Sequence, residues 1–332
     1  MNLSLPSPSP SLAPSPGLPS TLSFSLLLSL LCVCGIAGNL YTLWLLLHKH
    51  THAHAHGSRT RKWVSVRLPR SPAPSLHLQV LSLALADLLY LSTAPFIVAA
   101  SLSPHWLFGE PGCRVLLSLD LLTLHASIFT LTSMSLDRYR AVSRPLETST
   151  SPGHGSLRLG LAWGLALVLS LPMMVTLHLE EADREGTGEG EEAGRLCVPA
   201  WDEQSSKAYL SVLFCTSILG PGLCIGCLYA ALARLYWHSQ SQASLRAYPV
   251  SRPRPKVVVL VLAIVLTFWV CFLPFWLWQL LPLYCPERLD TLTPATQVTV
   301  NRVLTALTYG NSAVNPFYYT LLTGRGRGRE RR

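Results

Sequence analysis

Long apolar runs alternate with short polar segments along almost the whole chain. Each run is at least as long as the roughly 20 residues that a helix needs to cross the hydrocarbon core of a bilayer. The pattern predicts seven transmembrane helices, over residues 22–47, 76–100, 110–142, 157–178, 207–236, 256–283 and 294–322. The seventh run is the most polar, because it contains Arg302 and several Thr and Asn residues. We therefore expect an all-α membrane protein built as a seven-helix bundle.

The amino-acid composition excludes the other broad classes of protein. Charged residues make up 13% of the 332 residues, about half of the share that is typical of soluble domains. Hydrophobic residues reach 49%, which is too much apolar surface for a disordered chain to leave in water. A net charge of +9 suggests nucleic acid in a soluble protein, but here the position of the charges matters more than their sum.

Basic residues concentrate on one side of the predicted bundle. The segments on that side hold 17 basic and two acidic residues, whereas the segments on the other side hold four basic and 11 acidic residues. Cytoplasmic loops carry the excess of Lys and Arg. The N-terminus is therefore predicted to lie outside the cell and the C-terminus inside.

The segments between and beyond the helices predict the domain organisation. Around a helical domain at 22–322, we expect a disordered, Pro- and Ser-rich outer tail at 1–21, an inner loop at 49–75, an acidic outer loop at 179–206, an inner loop at 237–255 and a short basic tail at 323–332. Asn2 heads a sequon, but it abuts the initiator Met and is a weak glycosylation candidate.

Five His residues alternate along segment 48–56. A metal site is conceivable for such a tract. No further groups that would orient metal ligands lie nearby in the sequence, so a solvated insertion in the first inner loop is the favoured interpretation.

Three of the nine Cys residues fall on the oxidising outer side: Cys113, Cys197 and Cys285. A bridge between Cys113 and Cys197 would tie the acidic outer loop across the mouth of the bundle. Cys285 is then left as a free thiol or as an alternative partner.

Charged residues inside the predicted spans need a reason, because each costs about 2.5–3.5 kcal/mol near the bilayer centre. Asp87 lies in the middle of the second span, and Asp120 lies two turns below Cys113 in the third span. Asp137 and Arg138 close the inner end of the third span. Each of these residues is either a polar packing residue with a satisfied partner or part of a functional site.

Proline and aromatic residues mark the sixth and seventh spans. Pro316 removes a backbone donor and should bend the seventh helix, so that Asn315 either satisfies a freed carbonyl or faces Asp87. Phe272 and Trp276 share one face of the sixth helix with Gln279, beside a proline. Such a stripe is typical of a packed core, and beside a kink it also suits a moving lever.

These residues together resemble the rhodopsin-like (class A) G-protein-coupled receptors. The motifs, in chain order, are Gly38-Asn39, Leu83-Ala84-Leu85-Ala86-Asp87, Asp137-Arg138-Tyr139, Trp163, Pro221 with Tyr229, and Asn315-Pro316 followed by Tyr319. Each is weak alone, and their full order along the chain is specific. Within the family, the stretches 83–91, 95–99, 112–116, 125–132, 220–223, 271–281 and 307–312 are similar to the urotensin receptors.

The resemblance implies a plasma-membrane receptor for a disulfide-cyclised, cationic peptide of the urotensin II type, which carries a Phe-Trp-Lys-Tyr core. It implies a heterotrimeric G-protein partner of the q class, with phospholipase C and calcium downstream. The ligand site is expected at Asp120, Phe272, Trp276, Gln279 and Tyr309. In it, Asp120 pairs with the ligand Lys, and a Cys113–Cys197 disulfide holds a lid over the pocket.

Two further sets of residues carry roles by resemblance. The G-protein switch comprises Asp137, Arg138, Tyr139, Tyr229 and Tyr319, and Asp137 is expected to hold Arg138 in the inactive state. A structural Na⁺ is the sole cofactor implied, at Asp87, Ser127, Asn311, Ser312 and Asn315.

Some features depart from the family pattern. Phe272 stands where most members have Trp, and the His-rich first inner loop is unusually long. Beyond Thr323 the tail offers no Ser or Thr, so arrestin stays a candidate partner and its regulation through a phosphorylated tail is not expected.

The sequence argues against several functions other than that of a receptor. A retinal protein needs a Schiff-base Lys in its last helix, and 294–322 contains none. The paired repeats of a transporter and the nucleophile–base set of an enzyme are both missing from the sequence. A somatostatin-like peptide receptor or an amine receptor stays open, because Asp120 suits any cationic ligand.

Overall fold

Helices form nearly all of the structure, a computed structural model that describes residues 17–57, 74–103, 106–143, 153–181, 195–243 and 255–324. The helices are α1 (Leu18–Gly57), α2 (Pro74–Leu91), α3 (Ala94–Leu102), α4 (Gly109–Ser143), α5 (Gly153–Thr176), α6 (Glu203–Phe214), α7 (Gly220–Ala243), α8 (Pro255–Tyr284), α9 (Pro286–Asp290) and α10 (Pro294–Gly324). Strands β1 (Leu177–Glu181) and β2 (Arg195–Pro199) pair with each other, and a π-helical turn (Cys215–Leu219) joins α6 to α7. The predicted Asn2 sequon and most of the predicted loops and tails lie outside the described residues.

The seven predicted helices correspond to α1, α2 with α3, α4, α5, α6 with α7, α8, and α10. Within the described residues, six of these are long and apolar enough to cross a membrane. The exception is α10, whose Thr, Asn and Arg residues lower its hydropathy. It packs against α1 and α8 within the bundle, which shields its polar groups.

The first helix is longer than the sequence pattern predicted. We expected it to end at residue 47, whereas α1 continues to Gly57. The His-rich segment 48–56 is therefore helical, beyond the apolar span that ends at His48. A helical backbone satisfies its own hydrogen bonds, so the helix can continue past the apolar run that starts it.

The second helix bends at Ser92 and Thr93, between α2 and α3. Pro95 has no N–H to offer the Leu91 carbonyl one turn earlier. The Cys32 thiol on α1 donates to that carbonyl at 3.4 Å, and the Thr93 N–H donates to the carbonyl of Tyr90 at 3.1 Å. Protein groups thus satisfy the Leu91 and Tyr90 carbonyls at the bend, as a membrane interior requires.

The fifth helix is interrupted by the π-helical turn, in which the Gly220 N–H donates to the Cys215 carbonyl. The irregular turn lies directly before Pro221. The fourth helix, α5, continues through Pro172. A π-turn rotates the side chains that follow it relative to those that precede it, and such turns are frequent at functional sites.

The proline of the seventh helix is satisfied from α1. Pro316 cannot donate to the Ser312 carbonyl, and the Asn39 Nδ2 donates to it instead at 3.0 Å. Of the two roles expected for Asn315, the structure shows the second: its Nδ2 donates to Asp87 Oδ2 at 2.8 Å.

Glycines allow α1 to lie close to its neighbours. A Cβ atom on Gly38 would lie 2.9 Å from the Pro316 ring, and one on Gly35 would lie 2.7 Å from Leu91. Both distances are shorter than van der Waals contact, so glycine is required here for packing rather than for backbone conformation.

The third membrane helix, α4, is the most enclosed of the candidate spans, with 72% of its apolar window buried, against 22% for α5. Side chains on almost any face of α4 therefore meet protein rather than lipid. This position explains how it can carry Asp120, Asp137 and Arg138 within the predicted span.

A β-hairpin covers the predicted outer end of α4, and the sequence analysis did not predict it. Strands β1 and β2 are antiparallel, with Leu179 opposite Cys197. The Cys113–Cys197 disulfide ties the hairpin to α4 and confirms that pairing, while Cys285 is not in a disulfide. The Trp106 N–H donates to the Arg195 carbonyl at 3.0 Å, so the lid is held from two sides.

Candidate functional site

The outer half of the bundle contains a buried carboxylate at Asp120, whose exposed fraction is 6%. The Thr93 hydroxyl donates to Asp120 Oδ1 at 3.1 Å. Within the described residues, Oδ2 makes no hydrogen bond. Asp120 is therefore held at one oxygen, and its other oxygen can accept from a cation.

Two tyrosines connect this carboxylate to the seventh helix. The Tyr309 hydroxyl lies 2.5 Å from Thr93 Oγ1. The rings of Tyr90 and Tyr309 stack with their centroids 4.3 Å apart, and the Tyr90 hydroxyl bonds to Thr308 Oγ1 at 2.8 Å. Of the predicted ligand-site residues, Tyr309 and Asp120 are thus brought together through Thr93.

The predicted residues of the sixth helix line the interior of the bundle. Trp276 is completely buried and its Nε1 has no hydrogen-bond partner among the described residues. Its ring lies 6.4 Å from that of Phe214 on α6. Phe272 stacks on Phe268 with their centroids 4.5 Å apart, and Gln279 is buried. An aromatic layer with one indole donor therefore occupies the sixth-helix side of the interior.

Below this layer, a cavity of about 10 Å³ lies beside Asp87, comparable to the space that one water molecule needs. Its lining includes Ser127, Asn311 and Ser312 of the predicted sodium site, and Asn315 hydrogen bonds to Asp87. The structure thus brings the five predicted residues together. Phe272 lines the same cavity, so it contacts this polar region as well as the aromatic layer.

The oxygen atoms around this cavity suit a small cation. Asp87 supplies a carboxylate, and Oδ1 of Asn311 is buried with no hydrogen-bond partner among the described residues. Carboxylate, amide and hydroxyl oxygens are the ligands that hard cations take. The donor set therefore fits Na⁺.

At the predicted inner end of the bundle, the ion-pair and hydrogen-bond partners of Asp137 in the described residues lie on other helices, and its neighbour Arg138 interacts with it electrostatically. Arg158 on α5 contacts Asp137 Oδ1 at 2.5 Å, and Gln79 on α2 donates to Asp137 Oδ2 at 2.9 Å. The Nε atom of Arg138 is buried without a hydrogen-bond partner in the described part of the chain. Both oxygens of Asp137 are thus engaged by other helices.

The remaining predicted switch residues surround this end. Tyr229 on α7 donates to the Val258 carbonyl of α8 at 3.4 Å, which joins the fifth and sixth helices. Tyr319 is buried and Tyr139 is partly buried. The tyrosines therefore lie at helix contacts that must change if the helices separate.

Sequence reasoning missed several residues of the site. Thr93 and Arg158 were placed within the second and fourth predicted helices without a role, and Gln79 was not singled out. His125 on α4 is also buried, with Nδ1 2.9 Å from the Leu121 carbonyl and Nε2 3.2 Å from Thr216 Oγ1 in the π-turn. Pro95 was the sequence signal that could have indicated Thr93. A proline there predicts a bend in the second helix, and a bend changes which of its side chains face the third helix.

One carboxylate of the predicted acidic outer loop, that of Asp202, lies within the described residues at the start of α6. Asp202 caps the start of α6 and accepts from the backbone N–H groups of Gln204 and Ser205. The Ser205 side chain, and then its backbone N–H, hold the pKa of Asp202 below its usual value. This carboxylate therefore stays charged under ordinary conditions. Most of the predicted acidic loop lies outside the described residues.

Comparison with known proteins gives consistent matches over most of the chain. The sequence profile of the 7 transmembrane receptor (rhodopsin family) matches residues 63–319. The chain is 48% identical to the urotensin-2 receptor of Homo sapiens over 298 residues, which cover 90% of the chain and 68% of that receptor. It is 47% identical to the urotensin-2 receptor of Bos taurus over 305 residues, covering 92% and 71%. Against the somatostatin receptor type 4 of Rattus norvegicus, identity is 34% over 256 residues, covering 74% and 61%.

Proposed function

The chain belongs to the rhodopsin family of seven-transmembrane receptors, and we propose that it is a plasma-membrane receptor for a cyclic, cationic peptide of the urotensin II type. As a member of this family it is a multi-pass membrane receptor rather than an enzyme. The similarity to urotensin-2 receptors supports a peptide ligand and a G protein as its two partners.

One observation carries the proposal: a buried carboxylate with a free oxygen lies in the outer half of the bundle. Asp120 Oδ2 makes no hydrogen bond within the described residues. A buried carboxylate without a partner of opposite charge is costly, so a cation that reaches it gains a strong interaction. The aromatic layer at Phe272 and Trp276 suits the Phe, Trp and Tyr that flank the Lys of urotensin II.

The outer lid and its charge support a cationic peptide as the ligand. The segment 179–207 holds nine acidic and three basic residues, and such a field concentrates cations and speeds their association. The Cys113–Cys197 disulfide fixes the hairpin beside α4. We propose that the hairpin forms one wall of the entrance to the pocket.

For signalling, we propose a q-class G protein, with phospholipase C and calcium downstream. Arg138, Tyr229 and Tyr319 lie at the predicted inner end, where a G protein would insert. Arrestin is a further proposed partner, although the tail that we expected to lack phosphosites lies outside the described residues. We also propose that Na⁺ occupies the Asp87 cavity in the inactive receptor, where it would neutralise a charge in the membrane.

The proposal is tested by calcium responses and ligand binding in cells that express the chain. Urotensin II should give a response, and somatostatin and amines should give a much weaker one. Asp120→Ala and a urotensin II analogue with norleucine in place of Lys should each weaken binding by ~2–5 kcal/mol. The two losses should not add, because they remove the same interaction.

Glu110 offers a matched control for Asp120. It is a carboxylate at the rim of the same helix, but it already forms an ion pair with Arg114. Glu110→Gln should leave the affinity for urotensin II within about threefold, since exposed pairs contribute little. Fully additive losses for Asp120→Ala and the neutral analogue would place the ligand cation elsewhere. A stronger response to somatostatin would support a somatostatin receptor, which the similarity to that family keeps as the second candidate.

A further inference from the structure

Thr93 lies where the second helix bends, and its hydroxyl faces three groups at once. It is completely buried. Its Oγ1 lies 3.1 Å from Asp120 Oδ1, 2.5 Å from the Tyr309 hydroxyl and 2.7 Å from the Tyr90 carbonyl. A hydroxyl has one proton to donate, so these three contacts cannot all receive a hydrogen from Thr93.

Counting donors and acceptors assigns the direction of each bond. The Tyr90 carbonyl accepts the Thr93 N–H at 3.1 Å as well as the Thr93 hydroxyl at 2.7 Å, so it keeps a hydrogen bond when the hydroxyl points to Asp120. Asp120, as a carboxylate, can accept only, and it has no other hydrogen-bond donor within the described residues. The Tyr309 hydroxyl can donate to Thr93 Oγ1, which leaves the Thr93 proton for Asp120. The result is a chain of donors from Tyr309 through Thr93 to the carboxylate, in which each bond strengthens the next.

We propose that Thr93 is a positioning residue for the ligand's cation. It fixes Oδ1 of Asp120 and so directs Oδ2 toward the pocket, and it stabilises the charged form of the carboxylate. Tyr309 then acts on the ligand through Thr93 and Asp120 rather than by contact with the cation. This inference rests on the proposed function, in that Asp120 receives the cation of a peptide ligand.

The bend that places Thr93 here is built from the sequence around Pro95. Ser92 lies beside Thr93 in the same bend, but it is exposed and its hydroxyl donates to the Leu89 carbonyl at 2.7 Å. The two neighbouring hydroxyls thus have different roles. The Ser92 hydroxyl bonds to the backbone at the bend, and the Thr93 hydroxyl bonds to Asp120.

The experiment measures binding of urotensin II and of its norleucine analogue to three variants at matched surface expression. Thr93→Val keeps the shape of the side chain and removes the donor, and it should weaken urotensin II by roughly 10- to 100-fold, as expected for a hydrogen bond to a charged group. Thr93→Ser restores the donor and should bind within about threefold of the parent receptor. Ser92→Ala, the matched control, should bind both ligands as the parent does.

The neutral analogue and an Asp120→Asn background isolate the route of the effect. The analogue should bind Thr93→Val and the parent receptor equally. In the Asp120→Asn background, Thr93→Val should cause no further loss of urotensin II affinity. If Thr93→Val reaches the surface poorly, Tyr309→Phe removes the preceding donor and should show a smaller loss with the same preference for the cationic ligand.

Three results would overturn the inference in distinguishable ways. Equal losses for both ligands mean that Thr93 supports the bend and not the carboxylate. No loss in Thr93→Val, with a large loss in Asp120→Asn, removes Thr93 from the site and leaves the proposed function intact. If the parent receptor binds both ligands equally and Asp120→Asn causes no loss of affinity, the proposed function itself is rejected.

Discussion

Replacing Arg158 with methionine removes the cation that contacts Asp137 from the fourth helix. In the structure Arg158 lies 2.5 Å from Asp137 Oδ1, with 23% and 10% of the two side chains exposed. Without it, Asp137 is free to pair with its neighbour Arg138. Arg138 would then be held in place, and we expect ligand-free signalling to fall.

The magnitude follows from the geometry of the pair. A hydrogen bond between charged groups contributes about 1.5–3 kcal/mol, and the partial exposure of Arg158 favours the lower end. If Asp137 transfers an interaction of that size to Arg138 in the inactive state, the ratio of active to inactive receptor falls by roughly tenfold.

The assay is ligand-free inositol phosphate accumulation, at equal surface expression and in cells where the parent receptor signals above untransfected background. Arg158→Lys retains the charge and should signal as the parent does. In an Asp137→Ala background, Arg158→Met should have no effect, because the shared partner is gone.

A rise in ligand-free signalling for Arg158→Met would refute the reasoning, because the pair would then restrain the inactive state. The sequence led us to expect that Asp137 restrains Arg138, so that Asp137→Ala raises ligand-free signalling. The partners seen in the structure predict a rise of less than about twofold. A large rise in ligand-free signalling for Asp137→Ala, together with no change for Arg158→Met, would support the direct Asp137–Arg138 pair instead.

The remaining predictions concern packing, the cavity and the lid. Gly38→Val should lower stability by about 1–3 kcal/mol in a thermal-shift assay, and surface expression with it, because its Cβ would lie 2.9 Å from the proline ring of α10. Gly160→Ala should be neutral in the same assay, because no atom lies within 4 Å of the added Cβ. Na⁺ should lower agonist affinity in the parent receptor and not in Asp87→Asn. If Na⁺ changes radioligand binding of neither receptor, the cavity does not bind Na⁺. Cys197→Ser should release the hairpin and reduce urotensin II affinity at least tenfold. Unchanged affinity would mean that the hairpin does not contribute to ligand binding.

The helices could be predicted from the sequence because the signal is local. A run of about 20 apolar residues determines a membrane helix whatever its neighbours are, and the predicted runs correspond to the observed helices within a few residues at most ends. The exceptions are at polar ends: α1 continues to Gly57, α7 continues to Ala243, and the β1–β2 hairpin follows α5. Helix continuation and strand pairing outside the apolar core leave no hydropathy signal.

The site could be predicted in part. Asp120 and Asp87 were apparent because a charge inside a span is costly and therefore has a purpose. The pairing of Cys113 with Cys197 followed from their position on one side of the membrane and from the family. In each case the sequence alone indicates that a residue needs a partner.

The identity of each partner was decided by the tertiary structure. Pro316 was certain to free a carbonyl, but Asn39 of another helix takes it, and Asn315 bonds to Asp87 instead. Asp137 was expected to pair with the residue beside it, and the structure adds two partners from other helices, Arg158 and Gln79. Such choices depend on where helices cross and how they are rotated, which positions donors from distant parts of the chain within about 3 Å of an acceptor. The sequence determines which groups must be satisfied, and the packing of the seven helices decides which groups satisfy them.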